Sequence, residues 1–164
     1  MYREYSHQMQ DTMCVWTISA GDHPFAPRLL RDLQEYNLND HVHNLGPLTH
    51  KQVQDLFFAA DLMVFPTKLE TFGIPFVEAM TSGVPIVTSD YDFTRCVCGD
   101  AAEYAADPDC PHAWYRALRN VLDSPGRWEQ LHQLGVARRA SFPPWPSTIA
   151  RILDEEGIER NLLG

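Results

Sequence analysis

Positive charge is scarce in this chain. Lysines and arginines number 13 against 22 carboxylates, a formal net charge of −9 across 164 residues. That balance argues against a surface that tracks nucleic-acid phosphates. It also opposes any anionic small ligand, so a phosphate site here has to rest on local amides and a few placed cations. Long apolar runs are missing too, and none approaches the ~20 residues that span a bilayer. The N-terminus, Met1-Tyr-Arg-Glu-Tyr-Ser-His7, lacks the apolar segment of a signal peptide. The four cysteines, Cys14, Cys96, Cys98 and Cys110, then read as free thiols of a reducing cytosol. Cys96-x-Cys98 has no second pair at metal-finger spacing, and alternation along a strand or helix end explains it. No metal is expected. There are no internal repeats or low-complexity tracts, and the expected location is cytoplasmic.

What is present is an ordinary globular core. The apolar fraction is 45%, and the length suits one domain over 1–164. Residues 1–11 read as the tail of a truncated first unit. Thr12-Met-Cys-Val-Trp-Thr-Ile-Ser19 is β-branched and apolar, a buried strand. Gly21-Asp-His-Pro24 stands where a Rossmann unit carries its glycine loop. It is not Gly-x-Gly-x-x-Gly, and no dinucleotide claim follows. A helix is expected from about Pro27 to Tyr36, with Leu29, Leu30 and Leu33 inward. His41–Leu45 reads as a strand, and Thr49 as the N-cap of a helix carrying Val53, Leu56, Phe57 and Ala60.

Strands over 62–66 and 84–88 follow, then a helical turn near 93–97 and a short strand near 102–105. Trp114, Ala117, Leu118, Val121 and Leu122 recur at helical spacing, and a second helix runs from about Arg127 to Ala140. Beyond Phe142-Pro-Pro-Trp-Pro146, Ser147 caps a last helix within 145–164. Strands alternating with helices predict an α/β fold: a Rossmann-like parallel sheet with helices on both faces.

The centre of the chain is Lys68-Leu-Glu-Thr-Phe-Gly-Ile-Pro-Phe-Val-Glu-Ala-Met80. The strand Leu62-Met-Val-Phe-Pro66 precedes it, and Pro75 suits the first or second position of a helix. Phe76, Val77, Ala79 and Met80 face that helix inward, Gly83 stops it, and a βαβ unit results. On one helix, Glu70 and Glu78 would be separated by roughly 80° of rotation and would share no face. Gly73 and Pro75 instead place Glu70 before the helix, at the carboxyl end of a strand, where open α/β sheets bind ligands. The amides of Phe72, Gly73 and Ile74 are donors at the helix start, which suits phosphate. A carboxylate on each side suits sugar hydroxyls. The stretch reads as a nucleotide-sugar site.

Glu-x-Phe-Gly-x-Pro-x-x-Glu-Ala-Met, then Ser82-Gly-Val-Pro-Ile-Val87, resembles the Glu-x7-Glu signature of retaining glycosyltransferases of the GT-B fold, family 4. His43-Asn-Leu-Gly46, Ala59-Ala-Asp-Leu-Met-Val-Phe-Pro66, Arg95-Cys-Val-Cys-Gly-Asp-Ala-Ala-Glu-Tyr104 and Asp107-Pro108 extend the likeness over roughly 12–155. The resemblance implies the C-terminal, donor-binding half of a GT-B enzyme, lacking its first strand. In the family that strand and its loop bear an Arg and a Lys that grip the donor pyrophosphate. By the same resemblance the acceptor-binding N-terminal domain is expected to lie outside this chain, so the chain alone should be inactive, and any membrane association would come through that other half.

By the same resemblance, Glu70 contacts donor-sugar hydroxyls and helps position the anomeric carbon, the catalytic role. Glu78 binds ribose, and Thr71, Phe72, Gly73 and Ile74 meet the sugar or phosphate. Asn44, Leu45, Gly46 and Pro47 hold the base, mostly through backbone atoms. The donor is a nucleotide diphosphate sugar, with no metal or other cofactor.

Each role has a plainer counterpart. Glu70 also reads as a solvated loop carboxylate, Glu78 as one stabilised near a helix start, and 44–47 as a strand-to-helix connection. Lys68 reads either as a cation that neutralises phosphate or, preferably, as a solvated lysine. Arg95 either reaches the cleft or pairs with Asp92 or a helix end. The seven histidines show no ligand spacing, and Trp114 and Trp128 read as core. Two rival functions are a non-catalytic scaffold module and a sugar-nucleotide epimerase on the same fold. The Glu-x7-Glu run favours the transferase.

Overall fold

Short parallel strands joined by helices run through residues 9–143, which the computed structural model describes. β1 (Cys14–Trp16) leads through α1 (Ala26–Glu35) to β2 (Val42–Asn44), and α2 (His50–Ala59) leads on to β3 (Met63–Phe65). Then come α3 (Ile74–Ser82), β4 (Ile86–Ser89), α4 (Asp92–Cys98), a 3-10 turn (Gly99–Ala101) and β5 (Ala102–Ala105). α5 (Pro111–Leu122) and α6 (Pro125–Arg139) follow. Every ladder is parallel, with Cys14 opposite Val42, Met63 opposite Ile86, and Ile86 opposite Ala102.

The expected single ladder divides in two. β1 and β2 form a two-stranded sheet, while β3, β4 and β5 form a three-stranded one. Apolar patterning marks which segments are extended and leaves open which become neighbours. Sequential strands often pair, but β2 and β3 do not.

β4 is buried along its whole length and supplies both cores. Successive strand residues point to opposite faces. Val87, with Ala105, therefore packs against Trp114, Ala117, Leu118 and Val121 of α5, Leu131 of α6, and Met9. Ile86, with Ala102, packs on the other face against Phe76, Ala79 and Met80 of α3 and Cys98 of α4. Each large apolar side chain buried in this way is worth roughly 1.5–3 kcal/mol.

Local signals place the helix ends. Thr49 and Gln52 form a reciprocal capping box at the start of α2. Gly83, at φ 72°, ends α3, and the amide of Val84 donates to the carbonyl of Ala79 at 2.9 Å. Pro111 and Pro125 open α5 and α6.

Two inward assignments need correction. The buried stripe of α1 runs through Ala26 and Leu33, and Leu29 is rotated off it, 41% exposed. Trp128 is only half-buried. It stacks on His132 with ring centroids 5.4 Å apart and donates Nε1–H to the Asp61 carbonyl, pinning α6 to the turn before β3. The tail over 1–8 and the helix expected after Ser147 lie outside the described residues.

Candidate functional site

The site begins where β3 ends. The amide of Thr67 and the hydroxyl of Thr88 both donate to the Phe65 carbonyl, at 2.9 Å each, which closes the strand. Residues 66–72 then loop across the carboxyl edge of the three-stranded sheet. Gly73 is the N-cap of α3, buried and at φ 68°, with Ile74 and Pro75 as the first two helical residues. A positive φ suits glycine alone at little cost. The Gly73 carbonyl accepts from Phe76 and Val77, at 3.0 and 3.3 Å, so the helix turns at once.

Glu70 therefore precedes the helix, half-buried, and its Oε1 accepts the N–H of Thr71 at 2.9 Å. Glu78, also half-buried, lies within α3. Between them, Phe72 and Ile74 stand exposed at the mouth of the helix. Among the described residues no acceptor takes the amides of Phe72, Gly73 or Ile74. Those donors, at the positive end of the helix dipole, favour an anion.

Asn44–Pro47 occupy the carboxyl end of β2. The side chain of Asn44 is already committed: Nδ2 donates to the Ile18 carbonyl at 2.9 Å, and Oδ1 accepts the Ile18 amide at 3.0 Å. It binds the loop after β1 to the loop after β2. Leu45 is exposed, its amide donating to the Trp16 carbonyl at 2.8 Å, and Gly46 takes φ 70°. What this loop can offer a ligand is backbone carbonyls and the exposed Leu45. No hydrogen bond among the described residues joins 44–47 to 70–78. Each group lies at the carboxyl end of its own strand, and the two strands belong to different sheets.

Two cations are not where the sequence reading left them. Lys68 is not simply solvated; its Nζ pairs with Asp109 in the loop after β5. Arg95 pairs with Asp90, not Asp92, with Nη2 2.8 Å from Oδ2 and the guanidinium 4.3 Å from the centre of the Tyr104 ring. Asp92 is the first residue of α4 and lies in its first turn, so Asp90 is the carboxylate within reach. The bond to Arg95 holds the Asp90 carboxyl below its usual range. Asp109 was missed by sequence reading, though Asp107-Pro-Asp109 carries a turn signature.

Cys96 is exposed and Cys98 is buried, so the two thiols do not share an environment. Burial pushes the Cys98 thiol up to about 12. Among the described residues no group of three or more His, Cys, Asp or Glu could hold a metal. No described helix is long and apolar enough to cross a membrane.

Residues 12–140 match the family of glycosyl transferases group 1. The chain belongs to that family. It is 31% identical over 138 residues to a D-inositol 3-phosphate glycosyltransferase of Thermobispora bispora, covering 82% of this chain and 32% of that protein. It is 31% identical over 108 residues to the O-antigen chain mannosyltransferase RfbU of Salmonella typhimurium, covering 66% of this chain and 30% of that one. The chain thus spans about a third of the length of these relatives. In fold it is similar to the sucrose-phosphate synthase of Thermosynechococcus elongatus, with TM-score 0.73 at 23% identity, over 86% of this chain and 37% of that one. The C-terminal domain of a group 1 glycosyl transferase (LpcC) from Francisella tularensis matches with TM-score 0.70 at 17% identity, over 85% and 74%. These likenesses show a Rossmann-like α/β fold.

Proposed function

We propose that this chain is the donor-binding domain of a retaining glycosyltransferase, family 4. The enzyme it serves moves a sugar from a nucleotide diphosphate sugar to an acceptor hydroxyl. The observation that carries this reading is the pair of carboxylates, Glu70 and Glu78, on either side of the free amides that open α3. A diphosphate placed at that helix end meets the amides of Phe72, Gly73 and Ile74 and the dipole. Glu78, within the helix, accepts hydrogen bonds from ribose. Glu70, on the loop ahead of the helix, accepts them from the donor sugar, and Thr71 lines the same loop.

The base rests against the loop 44–47. Backbone groups of Leu45, Gly46 and Pro47 do the holding there, because the side-chain carboxamide of Asn44 is spent on Ile18. No metal is required in this scheme. Helix-end donors, with cations from a further segment, carry the charge of the leaving diphosphate. The acceptor comes from an N-terminal domain, in keeping with relatives about three times as long. This chain binds donor and does not turn it over.

A thermal-shift screen of nucleoside diphosphates and nucleotide sugars, followed by calorimetric titration, tests the proposal. Saturable stabilisation by one base is the expected result, since a ligand bound only by the folded state raises its stability. Absence of binding at millimolar ligand, in this chain and in a longer protein containing it, would favour the scaffold reading.

A further inference from the structure

The loop that carries Glu70 has almost no anchors. Within 66–72, the Thr67 amide reaches only the Phe65 carbonyl, the Thr67 hydroxyl reaches only the Leu69 carbonyl at 2.9 Å, and the Thr71 amide reaches only Glu70. Each of these spans one or two residues. Among the described residues, the single hydrogen bond or ion pair from this loop to another part of the chain is Lys68 to Asp109.

Asp109, by contrast, stands on fixed ground. Its amide donates to Asp107 Oδ1 at 3.1 Å, and the Cys110 amide donates to the Asp107 carbonyl at 3.1 Å. The Pro108 carbonyl accepts Nε1–H of Trp114 at 2.9 Å, and Trp114 is part of the core. A loosely held segment is thus tied at one point to a rigid one.

We propose that Lys68 is a positioning residue, holding the Glu70 loop over the site through its ion pair with Asp109. A direct role for Lys68 as a phosphate-binding cation fits less well. Asp107 and Asp109 both act on it, so its charge is already met and an anion would approach two carboxylates. Both partners are well exposed, 62% for the Lys68 side chain and 74% for that of Asp109. A pair so exposed is worth too little to hold a fold and enough to bias a loop, and salt screens it. The loop's importance rests on the donor-binding reading of Glu70; the tether itself does not.

Limited chymotrypsin digestion separates the two questions. Leu69 and Phe72, 87% and 69% exposed, are cleavage points inside the loop. Asp109→Ala leaves the cleaved sequence untouched and should speed nicking there roughly 2- to 5-fold at low salt, with the thermal midpoint unchanged. The charge-swapped double variant Lys68→Asp, Asp109→Lys should restore the Asp109→Ala rate to that of the native chain. Raising sodium chloride to about 1 M, where the screening length falls to ~3 Å, should bring the native chain to the variant's rate and leave the variant's rate unchanged. An unchanged rate in Asp109→Ala, or a swap that restores nothing, would overturn the proposal. Failure of nucleotide binding would remove the ligand reading and leave the tether standing.

Discussion

A β-carbon on Gly73 would stand 3.1 Å from Cγ2 of Val97, and 3.0 Å from Cδ2 of Phe76. The glycine also holds φ 68°, where other residues are strained. Gly73→Ala therefore combines backbone strain with a clash against α4 and the first turn of α3. It should cost about 1–3 kcal/mol, read from urea denaturation. Gly126 offers the control, since nothing lies within 4 Å of its β-carbon position and its φ is not positive. Gly126→Ala should be neutral or slightly stabilising.

Phe76 anchors α3 from below. It is fully buried and meets Phe65 edge to face, with centroids 5.3 Å apart. Because β3 and α3 flank the Glu70 loop, this contact sets the distance that the loop must span. Phe76→Ala should destabilise by about 3–5 kcal/mol, the usual loss for deleting a core ring. The denaturation midpoint should fall while the slope stays constant. A loss under 1 kcal/mol would mean that the α3 core closes up around the gap.

The cysteines should separate by reactivity. Thiolate is the nucleophile, and burial raises the Cys98 thiol to about 12 while Cys96 lies exposed. At pH 8, iodoacetamide followed by peptide mass spectrometry should find Cys96 labelled well before Cys98. The sign of the pH effect follows from the same shift. Folding favours the neutral Cys98 thiol, so that contribution is complete below the ordinary thiol value near 8.5. It erodes as pH rises from there toward about 12. Cys98→Ala should flatten the alkaline fall in stability. Equal labelling of the two thiols would show that the helix end opens freely.

Much of the fold was legible because its signals are local. Thr49 marks the start of α2, Pro75 the start of α3, and Gly83 its end, each through geometry spanning a few residues. The strand at 102–105 falls where expected. What the sequence could not convey is contact at a distance. Lys68 and Asp109 are 41 residues apart, and nothing near Lys68 names its partner. The division into two sheets is also non-local, since β-branched runs look the same whichever neighbour they find. Leu29 was misplaced because three leucines crowd one short helix and only part of that helix faces a core. For the site, the order of Glu70, Gly73 and Glu78 along strand, loop and helix was readable. The commitment of Asn44 to Ile18 was not.

Glu70 and Glu78 should separate by ligand. Under the donor-binding reading, Glu78 serves the ribose, which nucleoside diphosphates and nucleotide sugars share, while Glu70 serves the sugar alone. Glu78→Ala should weaken both ligands, by about 1.5–3 kcal/mol if the lost hydrogen bonds are charge-assisted. Glu70→Ala should weaken the nucleotide sugar and leave the nucleoside diphosphate nearly unchanged. Both side chains are half-buried and neither belongs to the core clusters, so neither variant should lose much stability. Calorimetric titration of each variant with each ligand gives four affinities to set against the native pair. The titration calls for millimolar ligand, because the net charge of −9 opposes an anionic donor. Equal losses for both ligands in both variants would reject the division of labour. A loss of both ligands in Glu70→Ala, with only the nucleotide sugar weakened in Glu78→Ala, would reverse it, placing Glu70 by the ribose and Glu78 by the sugar.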